Sequence, residues 1–403
     1  MTALSGGHLA VDFASGSVPA LIPFLTDRFD LNYAFAAMLL LASTVSSSLV
    51  QPLFGLWSDR RGALWLIPGG TILSAVGVGL AAVSPFYPLV LVLVFAGGLG
   101  VAAFHPEGAK YAAYASGRKR ASGMSYFNIG GNTGYALGAF VTGLLVAAIG
   151  LGGGLLAMIP VAVAAAILLR FTPEFGALAP APSGGGEATG EDDRRAMALL
   201  GAVIALRSVA WFTLLAFVPL YVVSLGHSKA YGNRLLFLML LAGALGTLAL
   251  GPVADRIGLR RTLVVTQALI PPLMLVFVYV GGAAGAVALM LVGTCIVGTF
   301  GVTMVLSQLY LPRHIGMASG LSVGLAMGIG GLAAVVLGAV ADAVDLKTAL
   351  AISAAAPLVG VVFSLRLPRP ASPRQRNVEP VDRKLLGGVG EACEGRGQRS
   401  PDP

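Results

Sequence analysis

The sequence predicts an all-α integral membrane protein: twelve transmembrane helices in two pseudo-symmetric six-helix bundles. Three observations predict it. Of 403 residues, 56% are hydrophobic and only 11% charged, at a mean hydropathy of +0.85. A water-facing domain carries roughly 25% charged residues, so lipid must be the solvent for most of this chain. Basic residues then punctuate apolar runs of about 20 residues, the length that crosses a bilayer as a helix. Finally, one loop occurs twice. Gly55, Asp59, Arg60 and Gly62 form the first copy, and Gly251, Asp255, Arg256 and Gly258 the second, 196 positions later. A repeat of half the chain between apolar runs is the plan of a protein with two parallel halves and a cavity between them.

Cutting at charges and Pro/Gly clusters places the first six spans at 7–27, 33–55, 64–83, 87–114, 121–147 and 152–171. The second six fall at 197–225, 234–252, 262–281, 284–310, 316–340 and 347–366. Span 1 contains Asp12 and no small-residue cleavage signal, so it reads as a retained span. Two further anchors fall within one residue of the register of the repeat, at offsets of 196 and 197. Pro23-Phe24-Leu25 in span 1 matches Pro219-Leu220-Tyr221 in span 7, and the segment from Ala121 to Ser125 matches that from Ala318 to Ser322. The fifty-five glycines suit close helix packing in lipid.

The loops alternate in charge. One side holds Arg60, Arg61, Arg118, Lys119, Arg120, Arg170, Arg194, Arg195, Arg256, Arg260, Arg261 and Arg313. The other holds only Arg28, Lys229, Arg234 and Lys347. Positive loops stay inside, which predicts a multi-pass plasma-membrane protein with both termini cytoplasmic. The formal net charge of +8 is therefore topological, and no nucleic-acid partner is expected. Residues 1–171 form the first bundle and 197–366 the second. Residues 172–196, rich in Pro, Gly, Ala and acid, read as a cytoplasmic tether, and 367–403 as a disordered cytoplasmic tail. Cys295 lies in an apolar run and Cys393 in the tail, so neither a disulfide framework nor a cysteine metal site is indicated. A monomer without cofactor is expected, its partners being the bilayer, protons and a small-molecule substrate.

The doubled loop resembles the loop signature of the major facilitator superfamily, a resemblance that runs over all twelve spans. A narrower match joins His8 with Asp12, the run Gln51 to Arg60, Phe104-His105-Pro106-Glu107, Gly130-Gly131-Asn132 with Gly134, and Leu206-Arg207-Ser208. Together these resemble the fosmidomycin-resistance family of drug exporters. The resemblance implies proton-driven efflux of small polar drugs, phosphonates being the namesake substrates. Gly138-Ala139 stands where proton–drug antiporters usually carry Gly-Pro in span 5.

Several polar residues inside the spans are candidates for chemistry. His8 and Asp12 are four apart and share a helix face. Asp12 lies roughly 6–9 Å inside span 1 at 1.5 Å per residue. A carboxylate there must pair, protonate or line water. Burial disfavours its charged form and a nearby cation favours it, and a transport cycle can switch between the two. The alternative is a static pair that orders span 1. His105 and Glu107 in span 4 join His8 and Asp12 as candidates for proton coupling, histidine titrating near neutrality. Glu107 reads equally as a tie, with Lys110, to the basic loop at Arg118–Arg120. Spans 1 and 4 both line the cavity in facilitator folds, so the resemblance puts His8, Asp12, His105 and Glu107 near one another.

Arg207, about ten residues into span 7, stays charged and needs an anion, which is either substrate or the carboxylate of Asp12 or Glu107. Asn128 and Asn132, four apart in span 5, can bond substrate or bind helices together. Tyr126, Tyr135 and Trp211 are candidate cavity walls. Asp59 and Asp255 are read as starting the helices after their loops, where the helix dipole favours an acid. The resemblance adds a latch on the cytoplasmic side, made by Gly55, Asp59, Arg60, Gly62, Asp255 and Arg256. Two rival functions are weaker: import of a metabolite by proton symport, and an intramembrane enzyme with a metal on His8, Asp12, His105 and Glu107. No H-E-x-x-H or comparable tight spacing occurs, so neither an enzyme nor a metal site is expected.

Overall fold

The computed structural model describes residues 1–51, 53–55, 57, 63–116, 120–178 and 191–368. Among them every regular element is helical. The first half contains α1 (Thr2–Phe29), α2 (Tyr33–Gly55), α3 (Leu66–Val83), α4 (Tyr87–Ser116), α5 (Arg120–Ile149) and α6 (Gly152–Gly176). The second half contains α7 (Arg194–Ser224), α8 (Lys229–Ile257), α9 (Leu259–Tyr279), α10 (Gly282–Tyr310), α11 (Ile315–Ala343) and α12 (Leu346–Arg366). Eleven of these contain stretches long and apolar enough to cross a bilayer, and α11 contributes the shorter apolar stretch Gly328–Ala343.

Helix starts follow their caps. Asn32, Ser228, Asp193 and Asp345 each accept a hydrogen bond from a backbone N–H three residues on, which satisfies a donor that the first turn leaves open. The Asp193 cap starts α7 at Arg194, three residues before the expected 197. At its other end the expected tether is also helical, since α6 continues to Gly176; residues 179–190 and the tail from 369 lie outside the described residues.

The second copy of the doubled loop corrects one expectation. α8 runs through Gly251 and Pro252 to Ile257, so Asp255 and Arg256 occupy its last turn and do not start α9. Gly258, with φ +95°, makes the turn instead, and Leu259 opens the next helix. A proline removes the bond its nitrogen would have donated and crowds the carbonyl one turn back, yet the apolar length of α8 carries the helix past it. Asp59, Arg60 and Gly62 of the first copy lie outside the described residues.

Two spans break where unbroken helices are expected. In α2, Val45–Leu49 form a π turn. Thr44, Ser46 and Ser47 return their hydroxyls to carbonyls three or four residues back, competing with the helical ladder. In α10 the helix stops at Val297 and restarts at Phe300.

The pairing of helices repeats between halves. α1 packs on α5 as α7 packs on α11, and α3 on α4 as α9 on α10. The contacts that join the halves, α2 with α11 and α5 with α8, are images of each other under the same exchange. Glycines set the closest approach. A Cβ on Gly134 or Gly138 would overlap the carbonyl oxygen of Leu9 or Phe13 on α1. Gly134→Ala is therefore expected to cost about 1–3 kcal/mol, the usual range for overpacking. Thermal unfolding in detergent checks this, and an unchanged midpoint would mean that α1 and α5 are not held this closely.

Among the described residues the halves join at one end and part at the other. One apolar cluster runs through both, including Leu21, Ile22, Ala36, Phe217, Leu236 and Leu350. The described polar ties between halves belong to this same end. Lys229 pairs with Asp27, Asn233 Nδ2 donates to the carbonyl of Ala20 at 3.0 Å, and Asp342 accepts from the N–H groups of Tyr33 and Ala34 at 2.6 and 3.0 Å. Toward the end that carries Met1, Asp193 and Leu367 the apolar clusters are separate, one built from the first half and another from the second.

Candidate functional site

A cavity of about 300 Å³ lies between the halves. The first half lines it with Asp12 and Ser15 of α1, a hydroxyl-rich face of α2, His105 of α4, and Asn132 and Tyr135 of α5. The second half supplies Trp211, Phe212 and Leu215 of α7, Leu240 of α8 and Phe300 of α10.

Asp12 is the polar centre of this wall. Its carboxylate meets His8 Nε2 at 3.3 Å and His105 Nε2 at 3.4 Å, one imidazole on each oxygen. Helical spacing alone brings His8 over Asp12, and the packing of α4 against α1 adds His105. The other ring nitrogens are committed elsewhere. His8 Nδ1 lies 2.9 Å from the carbonyl oxygen of Phe127, and His105 Nδ1 lies 2.9 Å from that of Val101. A carbonyl can only accept, so each Nδ1 carries a hydrogen. A neutral ring then turns the lone pair of Nε2 toward a carboxylate oxygen. That contact repels unless a proton or another cation lies between. Phe127 stacks on His8 at 4.1 Å between centroids and holds the ring. Gly131 leaves room for the pair, because a Cβ there would collide with both His8 Nε2 and Asp12 Oδ2.

Glu107 stands apart from these three. It is fully buried, accepts from the N–H of Ala63 at 3.2 Å and pairs with Lys110 at 3.1 Å. Two positions from His105, its side chain leaves a different face of α4 and ties α4 to the start of α3, away from the cavity lining.

Arg207 is 2% exposed. Its guanidinium donates to Thr299 Oγ1 at 2.7 Å and to Thr303 Oγ1 at 3.4 Å, and lies 4.9 Å from the centre of the Phe300 ring. Phe300 lines the cavity and Arg207 does not, so the ring stands between the cation and the open space. Among the described residues no carboxylate pairs with Arg207, neither Asp12 nor Glu107. Trp211 takes the expected place on the wall, edge-on to Phe300. Asn132 and Tyr135 also line it. Tyr126 and Asn128, nearer the start of α5, are exposed and lie outside the lining.

Sequence reasoning missed the wall made by Ser43, Thr44, Ser47, Ser48 and Gln51. The signal was present as six residues with five hydroxyls, Ser43 to Ser48, inside an apolar span. Phe300 offered no signal, since an aromatic residue in a span reads as packing.

Twelve helices in two like halves around a shared polar cavity define a transporter that moves its substrate by alternating access. The family model of the Major Facilitator Superfamily matches residues 4–335, and the chain belongs to that superfamily. It is thus a multi-pass membrane protein, a secondary active transporter of small molecules and not an enzyme. Among curated relatives it is similar to "Uncharacterized MFS-type transporter YfnC" of Bacillus subtilis (strain 168), at 31% identity over 89% of this chain and 90% of that protein. It is also similar to the "Fosmidomycin resistance protein" of Escherichia coli (strain K12), at 29% identity over the same shares. Among solved structures, the nucleoside transporter NupG superposes with a TM-score of 0.72 at 14% identity over 91% of this chain and 98% of that one. FucP in its outward conformation superposes at 0.61 and 17% identity, over 91% and 98%. At these identities the likeness is one of fold.

Proposed function

We propose that this protein exports a small polar or anionic compound of the phosphonate type across the plasma membrane in exchange for protons. The observation that carries the reading is the carboxylate of Asp12, held between two Nε2 atoms on the wall of a cavity shared by both halves. Protons are the smallest cations that relieve that arrangement, and histidine exchanges them near neutral pH. Arg207, a buried cation behind Phe300, supplies attraction for an anion entering from the cavity. The hydroxyls of α2 and Asn132 offer neutral hydrogen bonds. Glu107 fits better as a tie between α3 and α4 than as a proton carrier. The E. coli relative's name supports a phosphonate drug as the first compound to try.

Reconstituted vesicles test this. With the full chain in liposomes enclosing a pH-sensitive dye, an imposed fosmidomycin gradient should drive protons the opposite way. Fosmidomycin flux without proton movement would refute exchange, and no flux would refute the substrate class.

Loop charge supports cytoplasmic termini. On that reading the parted end of the halves faces the cytoplasm, and the doubled segments, around Gly55–Gly62 and at the end of α8 around Gly251–Gly258, latch that end when it closes. Tags at both termini should survive external protease in intact cells, and a tag in the 226–233 loop should be cut. Cleavage of a C-terminal tag would overturn the orientation.

A further inference from the structure

The geometry points to a second ligand for the His8–Asp12–His105 cluster: one divalent transition-metal ion of the zinc type. The ion would be held by Nε2 of each imidazole and by the Asp12 carboxylate, with a remaining position open to the cavity. The inference stands whether or not the same cluster carries protons during transport.

Spacing is the first argument. Zinc binds nitrogen and carboxylate oxygen at about 2.0–2.2 Å with tetrahedral geometry, which sets neighbouring ligand atoms about 3.3–3.5 Å apart. The two imidazole-to-carboxylate distances are 3.3 and 3.4 Å, and one ligand atom from each of the three residues lies within 4.8 Å of the others. The two distances run to different oxygens of the carboxylate, so side-chain rearrangement on the order of an ångström would bring all three ligand atoms to tetrahedral spacing.

Orientation is the second. A metal-bound histidine usually donates its other ring N–H to a carbonyl or carboxylate, which fixes the tautomer and aims the ligating lone pair. Both rings already do so, His8 toward Phe127 and His105 toward Val101. His8 is further clamped by the stacked ring of Phe127. Two imidazoles and one carboxylate suit zinc, cobalt or nickel better than magnesium or calcium, which take mostly oxygen.

Access and permanence are the third. Asp12 and His105 line the cavity, so an ion can enter without disturbing the helix packing. All three ligands belong to the first half. The site therefore persists as the halves move against each other, and a bound ion would tie α1 to α4.

Cobalt titration tests it. The purified full chain, free of affinity tag and stripped with chelator, is titrated with Co²⁺ while visible d–d absorption is followed. One Co²⁺ per chain should bind and be displaced by Zn²⁺. Asp12→Asn and His105→Gln should each weaken binding by more than the roughly 10–100-fold that changes in outer-shell partners cost. The double variant His227→Gln, His314→Gln, which removes the chain's other histidines, should bind as the parent does. Absence of a one-to-one band, or a band undiminished in both Asp12→Asn and His105→Gln, overturns the proposal. Should those variants fail to fold, diethyl pyrocarbonate labelling of the unaltered chain decides. Zn²⁺ must protect His8 and His105 and leave His227 reactive; equal labelling with and without Zn²⁺ refutes the site. These readouts involve no transport, so loss of proton exchange with metal binding intact, or the reverse, separates the two proposals.

Discussion

Asp12→Asn is expected to abolish proton-driven transport while leaving substrate binding measurable. The substitution keeps the size of the side chain and removes its charge. An amide can donate to one Nε2, so at least the contact on that side is kept. What disappears is the carboxylate's negative charge, which draws the proton in, and with it the link between protonation and substrate. Such couplings are typically about 5–150-fold in affinity, and in this variant the factor should fall to near one. Uphill flux in vesicles should be lost while downhill exchange continues. Full gradient-dependent flux in Asp12→Asn would remove Asp12 from the mechanism.

Arg207→Gln has the second large effect. Among the described residues the arginine's partners are neutral, the hydroxyls of Thr299 and Thr303 and the face of Phe300. A cation so placed in a membrane has a strong unmet attraction for an anion. If substrate supplies that anion, Phe300 must move aside to let it approach; the helix breaks just before it, between Val297 and Phe300. Removing one member of a buried charge pair costs about 3–5 kcal/mol, so anion affinity should fall at least about a hundredfold at 1.4 kcal/mol per decade. Neutral compounds should bind nearly as before. Normal anion binding by Arg207→Gln would make the residue a clamp on the α10 break and withdraw the anionic-substrate reading.

The fold was legible because lipid leaves a helix few alternatives. Length, charge punctuation and the doubled loop located every span. Helix ends were less legible, for local reasons. The Asp193 cap starts α7 early, and α8 continues through Gly251 and Pro252 because its apolar length outweighs one missing hydrogen bond. That error moved Asp255 from the start of one helix to the end of another.

The candidate site was legible where it depends on spacing along one helix. His8 and Asp12 follow from four-residue separation. That His105 joins them and Glu107 does not is decided by the face of α4 that meets α1, which a nearly uniform apolar helix does not declare. The same ambiguity sent Tyr126 and Asn128 outside the cavity and Asn132 into its wall. The hydroxyls of α2 were overlooked because serine and threonine inside spans more often bond their own backbone, as several here also do.

Exchange requires that protons on the Asp12 cluster and substrate in the shared cavity exclude each other. Its most direct test is equilibrium binding of a radiolabelled phosphonate to the purified protein over a range of pH, with Asp12→Asn alongside. Exchange requires that protons and substrate compete, so affinity should weaken as pH falls in the parent and stay level in Asp12→Asn. Affinity that strengthens as pH falls, or that ignores pH in both proteins, would contradict the account.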